Sequence, residues 1–130
     1  YLDAEVADML FLSENYGKIA LLCHDRSVSF HAPYGNHDKI RVPSFGRGLG
    51  YERTTCDLLI VGSREEVYRF NLDEGRFDSS WIVKGTEGNC VAVSPAHPLS
   101  GVGCEDGSVR FYDNRGGGSS SGKGLLSLDV

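Results

Sequence analysis

The chain has 130 residues, of which 40% are hydrophobic and 24% are charged, and its formal net charge at pH 7 is −5. This balance is ordinary for a globular protein and disfavours indiscriminate binding to nucleic acid, although it is compatible with a local basic patch. The longest unbroken apolar run, Ile19–Cys23, is far shorter than the roughly 20 residues of a membrane-spanning helix, so no membrane partner is expected. The chain does not open with a positively charged segment followed by an apolar core, so no secretory signal peptide is predicted.

The first part of the chain predicts a unit of four short β-strands. Its apolar or alternating runs are bounded by Pro, Gly, Asn and Asp, which is typical of strands joined by turns. The predicted strands are residues 7–12, 18–23, 28–32 and 37–42. The fourth run is polar and alternating, which indicates an outer strand.

A second unit with the same order follows. Its predicted strands are residues 48–52, 57–62, 67–72 and 76–83. An acidic turn that ends in glycine separates the last two runs. Trp81, in the outer strand, is expected to pack between neighbouring units.

The third unit contains the clearest hairpin signal of the chain. Asp106-Gly107 lies between two β-type runs, where glycine tolerates positive φ and aspartate binds its own backbone. The predicted strands are residues 89–94, 99–104 and 109–113. Residues 116–124 (GGGSSSGKG) then predict a flexible linker or an insertion, and residues 125–130 are a candidate outer strand.

The three units form a sequence repeat. Aligning CHDRSV, GSREEV and CEDGSV places Val28, Val67 and Val109 in register, 39 and 42 residues apart. A period of about 40–45 residues with four strands per unit is typical of WD-repeat propellers. The predicted fold class is therefore all-β, a partial WD-repeat β-propeller with three consecutive four-stranded antiparallel blades at about residues 6–43, 47–84 and 88–115. Propellers typically close with about 4–8 blades, so we expect a segment of a larger propeller.

No catalytic, cofactor or metal site is predicted. The four cysteines contain no C-x-x-C pair, and the four histidines lack ligand spacing. Residues 117–123 match G-x-x-x-x-G-K, but a phosphate-binding loop also needs Ser or Thr next and a following helix. No G-x-S-x-G elbow is present. We therefore expect no cofactor, no small-molecule substrate and no enzyme activity.

Residues 39–51 (KIRVPSFGRGLGY) are unusually basic for this acidic chain. They contain Lys39, Arg41 and Arg47 with no acidic residue, and Phe45 lies among these cations. Cations interleaved with an aromatic residue can contact a phosphate backbone or an acidic partner. The alternative is an outer strand whose lysine and arginine discourage edge pairing. On spacing alone, both interpretations stay open.

The same stretch carries a family resemblance. K-I-R-V-P-S-F-G-R at residues 39–47 resembles the K-x-R-x-P-x-F-G-R stretch of the nucleolar protein 10 family. The similarity extends to TCDLLIVGSREEVYRFNLDEGRF at residues 55–77 and DRSVSFHAPYG at residues 25–35, and covers about residues 6–115. Members are WD-repeat propeller proteins of the nucleolus and components of the small-subunit processome, which matures pre-ribosomal RNA.

This resemblance implies a non-catalytic scaffold subunit in the nucleus and nucleolus. Its implied partners are protein components of the pre-ribosome, with pre-ribosomal RNA as a second candidate. The candidate contact residues are Lys39, Arg41, Phe45, Gly46 and Arg47. One alternative function is a WD-repeat adaptor of another complex, such as a ubiquitin ligase substrate receptor. A propeller hydrolase is the other, although the predicted strand starts lack the inward carboxylates and histidines that it would need.

Overall fold

The computed structural model describes residues 5–12, 18–31, 37–53, 55–94, 99–113 and 126–129. These residues form β-strands joined by turns. Within these ranges, no helical segment has the length and apolar character needed to cross a lipid bilayer. The strands are β1 (Val6–Phe11), β2 (Ile19–Cys23), β3 (Ser27–His31), β4 (His37–Arg41), β5 (Gly46–Glu52), β6 (Asp57–Gly62), β7 (Glu66–Asn71), β8 (Arg76–Phe77), β9 (Trp81–Ile82), β10 (Gly88–Val93), β11 (Leu99–Cys104), β12 (Ser108–Asp113) and β13 (Leu126–Asp129).

Consecutive strands pair to make three antiparallel sheets. The first sheet has the order β1-β2-β3-β4, the second β5-β6-β7-β8, and the third β10-β11-β12-β13. The prediction of an all-β chain with a repeated four-strand meander is therefore confirmed. β13 pairs with β12 and lies within residues 125–130, the candidate outer strand. The predicted linker at residues 116–124 lies outside the described residues. The blade boundaries themselves stay a prediction.

The outer edge of the second sheet differs from the sequence prediction. One strand was expected over residues 76–83, but β8 and β9 each pair with β7 and are separated by residues 78–80. At the break, the Arg69 carbonyl still accepts from the Asp78 amide at 2.8 Å, which continues the β7–β8 ladder by one bond. The Arg69 Nε then donates to the Ser79 carbonyl at 2.8 Å. A side-chain bond therefore takes the place of a backbone bond at Ser79, between the two short outer strands.

Strand β6 lies at the centre of the structure and is buried along its whole length. Because side chains alternate along a strand, Leu58 and Ile60 belong to the apolar cluster shared with the first sheet, whereas Leu59 and Val61 belong to the cluster shared with the third. Burial on both faces explains why DLLIVG has no polar alternation after its first residue.

Two apolar clusters join the sheets. The buried members of the first cluster, between the first and second sheets, are Ala20, Leu22, Val28, Val42, Leu49, Leu58, Ile60, Tyr68 and Phe70. The buried members of the second cluster, between the second and third sheets, are Leu59, Val61, Val67, Trp81, Val83, Val102, Cys104 and Tyr112. A polar bond supplements the first junction, since the Leu49 amide donates to Oδ2 of Asp8 on β1 at 2.9 Å.

Trp81 and Tyr112 fasten the second sheet to the third. Their rings are stacked with centroids 5.0 Å apart and an interplanar angle of 2°. The Tyr112 hydroxyl donates to the Ile82 carbonyl at 2.7 Å, and the guanidinium of Arg69 lies 5.3 Å from the Trp81 centroid. Burial raises the pKa of Tyr112 to about 12, so its hydroxyl remains a donor at neutral pH. Trp81 thus packs between sheets, as its sequence position predicts.

Tyr112→Phe is expected to lower the free energy of unfolding by about 1–3 kcal/mol, because the change keeps the ring but leaves the Ile82 carbonyl without its donor. Urea denaturation followed by fluorescence of Trp81, the one tryptophan of the chain, measures the effect. Tyr51→Phe is the matched control. The Tyr51 hydroxyl faces the Cys56 thiol, a weak hydrogen-bond partner, so a smaller loss is expected there. Equal losses at the two positions would contradict the assigned bond.

Candidate partner-binding surface

All the predicted contact residues lie near one end of the sheets. The strand registers place Arg41 opposite Ser27, Gly46 opposite Gly62, and the start of β10 opposite the end of β11. The turns β2–β3, β6–β7 and β11–β12 and the connections between the sheets therefore lie at this end. We call this end the upper face. It comprises residues 24–26, 41–47, 63–65, 83–87 and 105–107, and the Lys39 side chain reaches it through its ion pair with Asp25.

Lys39 and Arg41 project from β4 away from the first apolar cluster, since Ile40 between them packs against that cluster. Lys39 Nζ lies 3.3 Å from Oδ2 of Asp25, in an ion pair that is half exposed. Such exposed pairs contribute only about 0–1 kcal/mol, so Lys39 can exchange this partner for another anion. Arg41 is exposed and has no charged or hydrogen-bonding partner among the described residues.

Phe45 presents an exposed aromatic ring on a fixed backbone. Its side chain is 56% exposed and belongs to neither apolar cluster. The Ser63 amide donates to the Phe45 carbonyl at 2.9 Å, which ties the connection to the end of β6. The guanidinium of Arg26 lies 5.8 Å from the ring centroid and donates through Nη2 to the Pro43 carbonyl at 3.0 Å. The basic stretch therefore gains a cation that its sequence did not indicate.

Two glycines allow this connection to pass close to its neighbours. A Cβ at Gly62 would lie 2.1 Å from the Phe45 carbonyl oxygen, and a Cβ at Gly46 would lie 2.7 Å from a methyl of Leu22. Gly46 is itself buried. Gly46 therefore packs directly against Leu22, next to Phe45 in the chain, and its contact with a partner stays a prediction.

Arg47 bridges the second and third sheets. Its Nη2 lies 2.7 Å from Oε1 of Glu87, and its Nη1 donates to Oδ1 of Asn89 at 3.2 Å. Nη1 also lies 3.9 Å from Oε1 of Glu105. Two carboxylates therefore balance the Arg47 charge within the chain. Its contact with a partner stays a prediction, and that partner would compete with these groups.

Beyond Arg47, the upper face becomes acidic. An open groove of about 470 Å³ lies between the second and third sheets. It is lined by Ser63, Arg64, Glu65, Gly85, Thr86, Glu87, Glu105 and Asp106. No group of three or more His, Cys, Asp or Glu in the described part of the chain could hold a metal ion. The upper face is thus basic and aromatic beside the first sheet and acidic beside the third.

Equivalent turns in the first and third sheets use the same aspartate–serine bond. Oδ1 of Asp106 accepts from the Ser108 amide at 3.0 Å and from its hydroxyl at 2.5 Å, and Oδ1 of Asp25 accepts from the Ser27 hydroxyl. These hydroxyl groups hold the pKa of each carboxyl below its usual 3.8, with Lys39 adding to the effect at Asp25. The two turns that the repeat alignment makes equivalent therefore contain the same hydrogen bond.

The chain matches the family model described as Nucleolar protein 10-like, N-terminal domain, over residues 1–129. The chain belongs to this family. It is 41% identical over 114 residues to Nucleolar protein 10 of Xenopus tropicalis, and 40% identical over 114 residues to Ribosome biogenesis protein ENP2 of Saccharomyces cerevisiae. These matches cover 88% and 87% of the chain but only 17% and 16% of the relatives. The predicted resemblance to the nucleolar protein 10 family is confirmed.

Solved structures confirm the fold of this nucleolar protein 10-like chain. The structure of U3-55K superposes with a TM-score of 0.82 at 9% identity, covering 100% of this chain and 41% of that one. The WD40 domain of Neurospora crassa Pan2 gives a TM-score of 0.73 at 15% identity, covering 95% of this chain and 36% of that one. The three sheets are therefore part of a WD-repeat β-propeller, as the repeat period predicts.

Gly62→Ala is expected to lower the free energy of unfolding by about 3 kcal/mol, because the new Cβ would overlap the Phe45 carbonyl and the backbone would have to move. Gly50→Ala is the matched control in the same sheet. There the nearest atom, a methyl of Val91, lies 3.2 Å away and can shift, so a change within about 1 kcal/mol is expected. Urea denaturation measures both variants. A small loss for Gly62→Ala would show that the connection is not held as described.

Ser108→Ala is expected to raise the pKa of Asp106 toward 3.8, because the hydroxyl that stabilises the carboxylate is removed. Carboxyl NMR titration measures this pKa. Because the pKa of Asp106 is lower in the folded state than in the unfolded state, its ionised carboxylate stabilises the fold above about pH 3.8. This contribution to the free energy of unfolding is lost as the pH falls through the folded-state pKa. The variant should therefore lose less stability than the parent chain over that pH interval.

Ser27→Ala supplies the control for this titration. It should raise the pKa of Asp25 and leave that of Asp106 unchanged, since the two turns belong to different sheets. An unchanged Asp106 pKa in Ser108→Ala would contradict the bond assignment.

Proposed function

We propose that this chain is part of a non-catalytic scaffold subunit of ribosome biogenesis that acts in the nucleolus, within the small-subunit processome. Its proposed partners are protein components of the pre-ribosome, with pre-ribosomal RNA as a second partner. The observation that carries the proposal is the family match over residues 1–129. Relatives 39–41% identical over most of the chain are named Nucleolar protein 10, Ribosome biogenesis protein ENP2 and its homolog.

The architecture supports a scaffold role. Two apolar clusters hold the three sheets together, and the upper face is built from turns fixed by backbone and side-chain bonds. A rigid surface pays little conformational entropy on binding, which favours affinity for a partner of complementary charge. The basic side beside the first sheet and the acidic side beside the third would orient such a partner.

The five predicted contact residues enter the proposal with different roles. Arg41 and Phe45 are exposed, and Lys39 has a half-exposed ion pair that it can exchange. Gly46 would act by placing Phe45, while Arg47 would act at the boundary with the acidic groove. The proposed partner contact is therefore centred on Arg41 and Phe45.

We place the three sheets as consecutive blades of a larger ring in a longer protein. The chain spans 17% of the Xenopus tropicalis relative and 16% of the yeast relative. Val6 and Met9 of β1 are exposed, while Ala7 and Leu10 of the same strand pack against the first apolar cluster. A further blade packed on the exposed side of β1 would bury Val6 and Met9 as the second sheet buries Ala7 and Leu10.

Affinity purification of the tagged full-length gene product tests the proposed function. Mass spectrometry and RNA sequencing of the captured material should recover small-subunit processome proteins together with pre-ribosomal RNA. Recovery of an unrelated assembly, such as a ubiquitin ligase, would overturn the ribosome-biogenesis function while leaving the propeller fold in place.

Arg41→Glu should reduce co-sedimentation of the full-length gene product with pre-ribosomal particles by about tenfold. Charge-assisted hydrogen bonds contribute about 1.5–3 kcal/mol, and the reversed charge also repels the partner anion. Arg76→Glu is the matched control, because Arg76 is exposed on the outer edge of the second sheet, away from the upper face. Sucrose-gradient fractionation measures both. Equal sedimentation of the two variants would remove Arg41 from the proposed contact.

A further inference from the structure

Arg26 occupies a backbone position that an arginine fits poorly. Its φ is 65°, in the left-handed region, whereas the equivalent turn of the third sheet places Gly107 there with φ 86°. Glycine adopts this conformation without a steric penalty, and arginine does not. The Arg26 Nε is also buried without a hydrogen-bond partner among the described residues. Two unfavourable features at one residue point to a use for its guanidinium beyond folding.

The Arg26 guanidinium is held against an exposed aromatic ring. It lies 5.8 Å from the Phe45 centroid and is anchored by the bond to the Pro43 carbonyl. Phe45 is more than half exposed, although its carbonyl is bound to the Ser63 amide and glycine at position 62 permits the close approach. The ring is therefore presented to solvent by a backbone that is already fixed.

We propose that Phe45 and Arg26 form a stacking platform for a base of single-stranded RNA, with Arg41 binding a neighbouring phosphate. Aromatic rings and guanidinium planes are the groups on which proteins stack unpaired bases. The site deepens the proposed function by naming RNA as the ligand of the basic patch, and it rests on that proposal for its biological setting.

The charges around the platform favour one path for the bound strand across the surface. Lys39 and Arg41 alternate along β4, about 7 Å apart, on one side of the platform. On the other side lies the acidic groove, where Glu87 and Glu105 already hold Arg47. Phosphates are repelled there, so the strand would run from Phe45 along β4.

The exposed ring favours RNA over a protein segment that offers only acidic side chains. Aspartate and glutamate side chains would engage Lys39, Arg41 and Arg26 by charge alone and would gain little from the Phe45 ring. A base uses the ring directly, and its phosphate uses the cation. The contribution of the Phe45 ring to RNA affinity is therefore the quantity to measure.

Fluorescence anisotropy of the full-length gene product with labelled single-stranded oligouridine and oligoadenosine, each about 10 nucleotides long, tests the proposal. Phe45→Leu keeps an apolar side chain but removes the stacking surface. We expect it to weaken RNA binding about 5- to 150-fold, the range for loss of one aromatic–base stack, with an unchanged dependence on salt. Phe45→Trp should bind at least as tightly as the parent, and RNA should quench its fluorescence.

Arginine variants separate charge from stacking. Arg41→Gln should weaken binding and reduce the slope of log affinity against log salt concentration by about 0.7, the value for one phosphate contact on a single strand. Arg26→Gly copies the turn of the third sheet, so it should weaken RNA binding without lowering the unfolding midpoint. Arg76→Gln, with a side chain 71% exposed outside the upper face, is the control and should bind like the parent.

Three results would overturn the platform. The first is that Phe45→Leu and the parent bind RNA with equal affinity, and the second is that duplex and single-stranded RNA bind equally well. The third is that single-stranded RNA does not bind, whereas an acidic peptide binds the parent and Phe45→Leu alike. The affinity purification described above uses no added oligonucleotide. If it recovers no pre-ribosomal material, the role in ribosome biogenesis is overturned, whatever the oligonucleotide measurements show.

Discussion

Every side chain of β6 is buried, with Leu58 and Ile60 against the first sheet and Leu59 and Val61 against the third. Two-sided burial makes this strand the common wall of both apolar clusters. It also fixes the register of the second sheet, because a slip of one residue would exchange the two sets of side chains. The positions of the upper-face connections follow from this register, since β5 begins opposite the end of β6.

The upper face both joins the sheets and presents groups to solvent. Arg47 spans the second and third sheets through Glu87, while the Phe45 carbonyl holds the connection from the first sheet against the second. The proposed partner contacts and the inter-sheet contacts thus involve neighbouring residues in the stretch 39–47. A substitution there has to be checked for folding before a loss of binding is attributed to a lost contact.

Local patterns in the sequence predicted most of the strands. The repeated valines, the Asp-Gly turn and the placement of prolines are local signals, and the strands follow them closely. The partners of the basic stretch were not predictable in this way. Arg47 bonds to Asn89, 42 residues away, and Arg26 reaches Phe45 through a turn that is bonded to residues 42 and 43. The broken outer edge was also missed. At the break, the Arg69 side chain bonds to the Ser79 carbonyl, ten residues away.

The split between β8 and β9 affects how other chains can meet the second sheet. A peptide that adds as an extra strand needs a continuous row of free amides and carbonyls along an edge. Here each outer strand is two residues long, and between them the Asp78 amide and the Ser79 carbonyl are both bonded to Arg69. The edge is thereby protected against strand addition, whether by a ligand peptide or by a second copy during aggregation. Recognition at this sheet is left to side chains and to the turns at its ends.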